Sequence, residues 1–165
     1  GYGFADPRTD HEAELAIVIG QESRNLSERD ALSVVAYYTA FNDVTQRNIQ
    51  KGDASGWWRG KSFDTFGPIG PQLVPAQDIP DPQVLGIRCR VNGKLRQEGN
   101  TSQMIFSVAR IISFVSANLT LYPGDIIATG TPSGVGPIMA SDTVEVEIDG
   151  IGVLANPVAD ERPAT

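Results

Sequence analysis

Two glutamates separated by one residue open the segment of this sequence that is best suited to metal chemistry. Glu12 and Glu14 stand at the start of an apolar run that ends at Gly20. Because side chains alternate between the two faces of an extended strand, both carboxylates point to the same side. Two like charges beside a core need compensation from water, arginine side chains or a metal ion. The segment alone fits either a metal site or an edge strand with two solvated glutamates.

A third carboxylate follows a second extended segment. Residues 37–41 are rich in aromatic and β-branched side chains, which favour a strand, and Asp43 comes directly after them. Strand ends hold polar side chains rigidly enough for chemistry. If Asp43 meets Glu12 and Glu14, the three carboxylates form a hard oxygen site that suits Mg²⁺ or Mn²⁺, and less well Ca²⁺.

The basic residues indicate an anionic substrate, and the single histidine argues against zinc as the metal. Lys61 and Arg47 are natural partners for an anionic substrate, the lysine as a point charge and the arginine as a planar fork. The lone His11 does not indicate zinc, which prefers more nitrogen or sulfur ligands. We interpret His11 as a strand-end residue rather than a catalytic base. Spacing alone also fits charged groups scattered over the surface.

The composition is that of one globular domain with an acidic balance. The 165 residues carry 13 basic and 20 acidic side chains, a formal net charge of −7. This charge argues against nucleic acid or an anionic membrane as a partner. The single cysteine, Cys89, has no partner for an internal disulfide, and no apolar run reaches the ~18 residues of a membrane span. With no signal peptide at the start of the sequence, we expect a cytoplasmic location.

Local patterns predict a domain of mainly β structure with one or two helices. Asn92-Gly93 is the preferred type I′ pair and predicts a hairpin. Apolar residues at three- and four-residue spacing up to Val115 predict a helix capped by Thr101 or Ser102. Residues 143–149 alternate between apolar and acidic side chains, which is typical of a strand with one solvated face.

Other segments are less regular. A weak cap at Ser27 predicts a short helix over residues 31–36. Residues 50–82 are expected to be dominated by loops with a positioning role, because long irregular segments in compact domains are usually functional or mobile. The glycines of residues 129–136 fit neither a phosphate-binding nor a dinucleotide-binding pattern. They indicate a loop whose backbone closely approaches a ligand or another strand.

Five segments in a single order carry a resemblance to a known family. Together they resemble the catalytic domain of the fumarylacetoacetate hydrolase family, and the match extends over nearly the whole chain, from about residue 10 to residue 158. The segments are Glu12–Gly20, Asn42–Arg47, Gly60–Phe66, Gly70-Pro71 and Pro123–Gly136.

The resemblance implies a fold and an assembly. The expected fold is mainly β (α+β), a mixed β-sandwich roll. The expected organisation is an N-terminal tail over residues 1–10, a catalytic domain over residues 11–158 and a C-terminal tail over residues 159–165. Members of the family are usually homodimers, so a homodimer is expected here.

The resemblance also implies a metal site and a substrate site. The cofactor is expected to be Mg²⁺ or Mn²⁺, with Ca²⁺ as an alternative, and the substrate a small 2-oxo acid. It assigns roles to eight residues of this chain: the metal ligands Glu12, Glu14 and Asp43, the catalytic Arg47 and Lys61, and the substrate-binding Gln50, Thr65 and Thr131.

Several reactions fit this site. When a C–C bond of a 2-oxo acid breaks, or a proton leaves its α-carbon, charge collects on the keto oxygen as an enolate, and a metal and Lys61 stabilise it. The leading expectation is hydrolysis of an acylpyruvate, and the alternatives are a dienoate isomerase or an oxaloacetate decarboxylase. Hydrolytic members carry an upstream lid whose His–Glu pair activates water, and no segment of this sequence matches it. A metal-binding scaffold without activity is therefore the alternative of another class.

Overall fold

A computed structural model describes residues 8–52, 54 and 56–160. Over these residues the chain forms eleven strands: β1 (Thr9–His11), β2 (Ala13–Ile19), β3 (Val35–Asn42), β4 (Thr45–Gln46), β5 (Ile69–Pro75), β6 (Gly86–Val91), β7 (Lys94–Asn100), β8 (Ile126–Ala128), β9 (Gly136–Pro137), β10 (Thr143–Ile148) and β11 (Gly152–Pro157). It also forms three α-helices: α1 (Arg47–Gly52), α2 (Gly56–Lys61) and α3 (Val108–Asn118). Short 3-10 turns lie at Ala31–Val34, Ala76–Asp78 and Thr101–Gln103.

Two four-stranded sheets enclose the core. One has the order β5-β3-β2-β8 and the other β11-β10-β6-β7, while a third, three-stranded sheet has the order β4-β1-β9. Leu15 and Ile17 of β2 lie in one buried cluster with Cys89 of β6 and Val146 of β10. Full burial of a side chain such as Leu15 contributes about 1.5–3 kcal/mol, so this apolar layer stabilises the two sheets against each other.

The predicted fold class, mainly β with a few helices, is confirmed. Two details differ. Every strand pair of the described residues is antiparallel, so the sheets are not of mixed direction. The described ranges contain three α-helices rather than one or two, because residues 50–82 include α2, the end of α1 and the strand β5 where loops were expected.

The hairpin prediction is confirmed, and the helix start is corrected. Asn92 and Gly93 join β6 to β7 with φ angles of 53° and 72°, as a type I′ turn requires. Helix α3 begins at Val108 and is capped by Ser107, whose side chain accepts a hydrogen bond from the backbone N–H of Arg110. The predicted cap at Thr101 or Ser102 is wrong because that stretch is a separate 3-10 turn with its own capping box.

The other two local predictions are each partly right. The helix predicted over residues 31–36 is a 3-10 turn that ends at Val34, and β3 begins at Val35. Residues 143–148 form the predicted strand, but its outer face is not simply solvated. Glu147 lies 3.6 Å from the guanidinium of Arg88 and 2.5 Å from that of Arg90 on the neighbouring strand. Cross-strand pairs of opposite charge stabilise a sheet modestly.

An interruption in one antiparallel ladder creates the space for a site. Strand β2 pairs with β3, and β1 pairs with β4, so the two ladders continue each other. Between them lie Glu12 on one side and Asp43 on the other. The backbone N–H of Asp43 donates to the carbonyl oxygen of Glu12 at 2.9 Å. This bond holds the two side chains side by side where the regular pairing stops.

The glycine-rich loop over residues 129–136 packs against the glutamate strand. Both the backbone N–H and the hydroxyl of Thr129 donate to the carbonyl oxygen of Leu15, at 3.1 and 2.9 Å. Gly134 has a φ of +100°, and a Cβ there would overlap the carbonyl oxygen of Arg96 on β7. The predicted close approach of this loop to another strand is therefore confirmed.

The first described strand begins within the predicted N-terminal tail. Strand β1 includes Thr9 and the fully buried Asp10, which the sequence analysis assigned to the N-terminal tail. The tail and domain boundaries otherwise stay predictions, since residues 1–7 and 161–165 lie outside the described ranges. Among the described helices, none has the length and apolar character needed to cross a membrane.

Replacement of Gly134 by alanine tests the close approach. Gly134→Ala is expected to lower the free energy of unfolding by about 2 kcal/mol more than Gly124→Ala, as measured by urea denaturation. Gly124 is a matched control because its φ is +92° and open space surrounds the position of a Cβ. Both variants carry the left-handed backbone penalty, so equal losses would contradict the contact between Gly134 and Arg96.

Candidate metal-binding active site

Three carboxylates from separate parts of the chain meet at the interruption of the ladder. One oxygen each of Glu12, Glu14 and Asp43 lies within 4.8 Å of the other two. Glu12 and Glu14 are only 8% and 3% exposed. The hypothesis that these acids converge is thus confirmed as geometry. The alternative of two solvated glutamates on an edge strand is wrong, because β2 lies inside its sheet between β3 and β8.

Lys61 bridges two of the three carboxylates. Its ammonium lies at the end of α2 and donates to Asp43, to Glu12 Oε2 at 3.1 Å and to the hydroxyl of Thr45 at 3.0 Å. All three ammonium protons therefore have acceptors. The ring of Trp57, itself 71% exposed, lies 5.8 Å from Lys61 Nζ in a cation–π contact.

The guanidinium of Arg47 joins three acceptor side chains beside the carboxylate cluster. Its Nε donates to Asp10 Oδ2 at 2.9 Å, its Nη1 to Gln50 Oε1 at 2.9 Å, and its Nη2 to Glu12 Oε1. The predicted site residues Arg47 and Gln50 are therefore brought together with the metal-ligand candidate Glu12. Every nitrogen of the guanidinium already has a protein acceptor, so the observed contacts favour a positioning role for Arg47.

Asp10 is a residue that the sequence analysis missed. It is fully buried and lies between Arg47 and the half-exposed Arg8, whose Nε is 2.8 Å from Asp10 Oδ1. Burial opposes the charged form, but the hydrogen bonds from Arg8 and Arg47 outweigh it and lower the pKa of Asp10. The only signal in the sequence was its spacing of two from Glu12, which places both on one face of a strand.

Glu14 is the carboxylate with the least compensation. It accepts a hydrogen bond from the backbone N–H of Gly130 at 2.8 Å. Burial raises the pKa of Glu14 to about 7, and the neighbouring Asp43 and Glu12 add to the rise. Burial likewise raises the pKa of Asp43, although the hydrogen bond from Lys61 opposes it. The charge of Lys61 opposes the rise in the pKa of Glu14 without cancelling it.

The donor set fits a hard divalent cation. Three carboxylate oxygens lie close enough to share one ion, and carboxylates are the ligands that Mg²⁺ and Mn²⁺ prefer. Among the described residues, Asp10, Glu12 and Asp43 form ion pairs with Arg8, Arg47 and Lys61, and Glu14 forms none. A cation would supply the charge that the buried Glu14 lacks.

Thr131 lies in the glycine-rich loop, and its hydroxyl donates a hydrogen bond to the backbone of β2. Its hydroxyl donates to the carbonyl oxygen of Ala13 at 2.8 Å and accepts from Gln97 Nε2 at 2.7 Å. It is adjacent to Gly130, which donates to Glu14. Thr131 therefore lies where the resemblance implied, beside the metal-ligand candidates, and its role toward a substrate stays a prediction.

Thr65 lies on a different wall. Its φ is +67°, and it lines a cleft together with Phe66 and Met139 and with Asn42 and Val44, the two neighbours of Asp43. The Asn42 side chain also accepts from the backbone N–H of Glu12 at 3.0 Å. The cleft thus adjoins the carboxylate cluster, and the substrate contact assigned to Thr65 stays a prediction.

His11 and Cys89 are buried against each other behind the glutamate strand. His11 is 1% exposed, its Nδ1 lies 2.9 Å from Gln97 Oε1 and 3.4 Å from Cys89 Sγ, and burial lowers its pKa. Burial also raises the pKa of Cys89 to about 12, so its thiol stays protonated. These positions favour the structural interpretation of both residues over a catalytic one.

Comparison with known proteins gives a consistent result. A family model described as the C-terminal part of fumarylacetoacetate hydrolase matches residues 5–159. The mitochondrial oxaloacetate tautomerase of Xenopus laevis is 49% identical over 157 residues, which cover 90% of this chain and 49% of the tautomerase.

Two solved structures share the fold closely. One is 5-carboxymethyl-2-hydroxymuconate delta-isomerase from Mycobacterium smegmatis, with a TM-score of 0.89 at 42% identity over 94% of this chain and 61% of the isomerase. The other is maleylpyruvate hydrolase from Sphingobium sp. SYK-6 in complex with manganese(II) and pyruvate, with a TM-score of 0.87 at 37% identity over 95% of this chain and 56% of the hydrolase. The chain spans less than two thirds of each of the three relatives.

The burial of Glu14 predicts a pH-dependent stability for the chelator-treated protein. A carboxyl group whose pKa is raised from 4.5 to about 7 on folding stabilises the fold fully below pH 4.5, and this contribution is lost as the pH rises through 7. Glu14→Gln is therefore expected to raise the free energy of unfolding at pH 8 by on the order of 3 kcal/mol relative to the unsubstituted chain.

Urea denaturation at pH 4.5 and pH 8 measures this effect, and Glu98→Gln serves as the control because the Glu98 side chain is 62% exposed. The gain should be small at pH 4.5 and absent in the control. An equal gain at both pH values would contradict the raised pKa of Glu14.

Proposed function

The chain belongs to the fumarylacetoacetate hydrolase family, and on that premise we propose that it is a divalent-metal-dependent enzyme that acts on 2-oxo acids through an enolate. The leading reaction is hydrolysis of a C–C bond in an acylpyruvate. The observation that carries the proposal is the meeting of three carboxylates, two of them buried, with the ammonium of Lys61 between two of them. Relatives that are a hydrolase, an isomerase and a tautomerase support this class of chemistry.

Glu12, Glu14 and Asp43 are the residues that would hold the cation, Mg²⁺ or Mn²⁺ with Ca²⁺ as an alternative. When bound, a cation of this kind stabilises negative charge on the keto oxygen of a 2-oxo acid. The complex of maleylpyruvate hydrolase with manganese(II) and pyruvate supports this choice of ion and substrate class.

Lys61 is the group of this chain best placed to stabilise the developing charge. Its ammonium lies among the carboxylates rather than in bulk water, and a fixed donor in such a site needs little reorganisation during the reaction. Glu12 and Asp43 accept from Lys61 and would also hold the cation, so one N–H of Lys61 would become available for a substrate oxygen. Arg47 and Gln50 keep Glu12 in position behind it.

Thr65 and Thr131 are proposed to bind the substrate from two sides of the carboxylate cluster. Thr131 has a hydroxyl whose proton is given to the carbonyl oxygen of Ala13, an acceptor that a substrate carboxylate can replace. Thr65 lines the cleft beside Asp43, where the variable part of a 2-oxo acid has room.

Isomerisation or tautomerisation is the second candidate, and one observation favours it. Hydrolysis needs a base that activates water, and His11, the neighbour of Glu12, is buried and engaged by Gln97, so it is not placed to act as that base. A proton shift next to a keto group, as in an oxaloacetate tautomerase or a dienoate isomerase, uses the same enolate without that water. Decarboxylation of oxaloacetate shares the enolate as well.

An inactive scaffold fits the site poorly. Buried acids without a cation cost free energy, and within the part of the chain that the structure describes, the hydrogen-bond donor to Glu14 is the backbone N–H of Gly130. The homodimer and the cytoplasmic location implied by the sequence stay predictions.

Removal of the metal tests the central claim. With Mn²⁺ present, turnover of acylpyruvates or of oxaloacetate is expected, with products identified by NMR. Treatment with a chelator should abolish turnover, and added Mn²⁺ should restore it. Glu14→Ala should show no turnover at any Mn²⁺ concentration. Turnover that persists in the chelator or in Glu14→Ala would falsify the metal-dependent mechanism.

Replacement of Lys61 tests the charge-stabilising role. Lys61→Met keeps the length of the side chain and removes the ammonium, so kcat should fall about 10²–10³-fold, as for loss of an oxyanion donor. Lys94→Met is the matched control because Lys94 is the exposed first residue of β7, directly after the hairpin turn. A kcat of Lys61→Met within threefold of the control would exclude Lys61 from the chemical step.

A further inference from the structure

Gln97 lies at the junction between the glutamate strand and the glycine-rich loop. It belongs to β7, is 1% exposed and uses its whole amide group. Its Oε1 accepts from the backbone N–H of Ala13 at 3.1 Å and lies 2.9 Å from His11 Nδ1. Its Nε2 donates to Thr131 Oγ1 at 2.7 Å and to the carbonyl oxygen of Pro132 at 2.8 Å.

Two backbone groups fix the orientation of this amide. The N–H of Ala13 can only donate and the carbonyl oxygen of Pro132 can only accept. If the Gln97 amide were reversed, its NH₂ group would face the N–H of Ala13 and its oxygen would face the carbonyl oxygen of Pro132. Each buried group left without a hydrogen-bond partner would cost about 1–3 kcal/mol. The Nε2 of Gln97 therefore always points to the loop.

This orientation determines which way the hydroxyl of Thr131 can donate. A hydroxyl has a single proton, and Gln97 donates to its oxygen. The hydroxyl of Thr131 therefore cannot donate its proton to Gln97. It donates to the carbonyl oxygen of Ala13, 2.8 Å away. A substrate carboxylate has to compete only with this one carbonyl.

The same orientation determines the tautomer of His11. Since Gln97 Oε1 can only accept, His11 Nδ1 is the nitrogen that carries the proton of the neutral ring. The chain has a single histidine, so this state has an unambiguous spectroscopic signal.

We propose that Gln97 is a positioning residue for substrate binding, which holds the hydroxyl of Thr131 as a donor for the carboxylate of a 2-oxo acid. The inference rests on the proposed function, because it assumes that such a ligand binds beside Glu14. The hydrogen bonds of the Gln97 side chain go to His11, Ala13, Thr131 and Pro132 rather than to the carboxylates of the metal-ligand candidates, so Gln97 acts through the loop.

The test is binding of pyruvate, measured by isothermal titration calorimetry at saturating Mn²⁺, to the unsubstituted chain and to Gln97→Glu. Glutamate has the size of glutamine and keeps an acceptor oxygen toward His11 and Ala13. Its second oxygen replaces Nε2, so it accepts the proton of the Thr131 hydroxyl instead of donating to that hydroxyl. We expect the Kd of pyruvate to rise about tenfold and the Kd of Mn²⁺ to change less than threefold. An unchanged Kd of pyruvate would overturn the inference.

A double-mutant cycle separates positioning from general damage to the fold. Thr131→Val keeps the shape of Thr131 and removes its hydroxyl. If Gln97 acts through this hydroxyl, Gln97→Glu should change the Kd of pyruvate less than twofold when Thr131→Val is already present. A full tenfold effect in that background would show that Gln97 supports the fold in general, and would overturn the positioning role.

A measurement on the unsubstituted chain covers the case in which Gln97→Glu does not fold. ¹⁵N NMR of His11 should show a protonated Nδ1 and an unprotonated Nε2, and the opposite tautomer would overturn the orientation of Gln97 on which the inference depends. The outcomes also distinguish the two proposals. Failure of the unsubstituted chain to bind Mn²⁺ would count against the proposed function, whereas intact Mn²⁺ and pyruvate binding in Gln97→Glu would count against this inference alone.

Discussion

The repulsion among buried carboxylates is the constraint on which the structure of the site depends. Glu12, Glu14 and Asp43 lie within 4.8 Å of one another, in surroundings too dry to screen their charges as bulk water does. Lys61 and Arg47 offset part of this cost, and the donor to Glu14 among the described residues is a backbone N–H. This arrangement is unfavourable alone and would become favourable with a dication, so binding of the proposed cation would stabilise the fold.

The architecture holds the charges in place against this repulsion. Glu14 belongs to a strand flanked on both sides by others, and Glu12 and Asp43 lie at the point where one ladder ends and the next begins. Their backbones are joined by a hydrogen bond, so the side chains cannot separate without breaking it. The sandwich core beneath Leu15 anchors this region. A rigid scaffold of this kind is what a preorganised site requires.

The sequence predicted local features well and distant contacts only through resemblance. The spacing of Glu12 and Glu14 and the Asn92-Gly93 turn follow from backbone geometry, and the structure confirms both. Asp10 and Gln97 were missed because hydrogen bonds join them to residues between 34 and 86 positions away, on a helix, a loop and another strand. No periodic pattern marks such contacts. The start of α3 was misplaced because two caps follow each other and the pattern of apolar residues spans both.

The position of the two tryptophans has an optical consequence. Trp57 and Trp58 are the whole tryptophan content of the chain, and both lie on α2, the helix that ends at Lys61. Trp57 lies over the ammonium itself, and both indoles are largely exposed. The tryptophan fluorescence of the protein therefore originates from two adjacent residues of a single helix. Its emission wavelength reports on the polarity around that lysine, without any label.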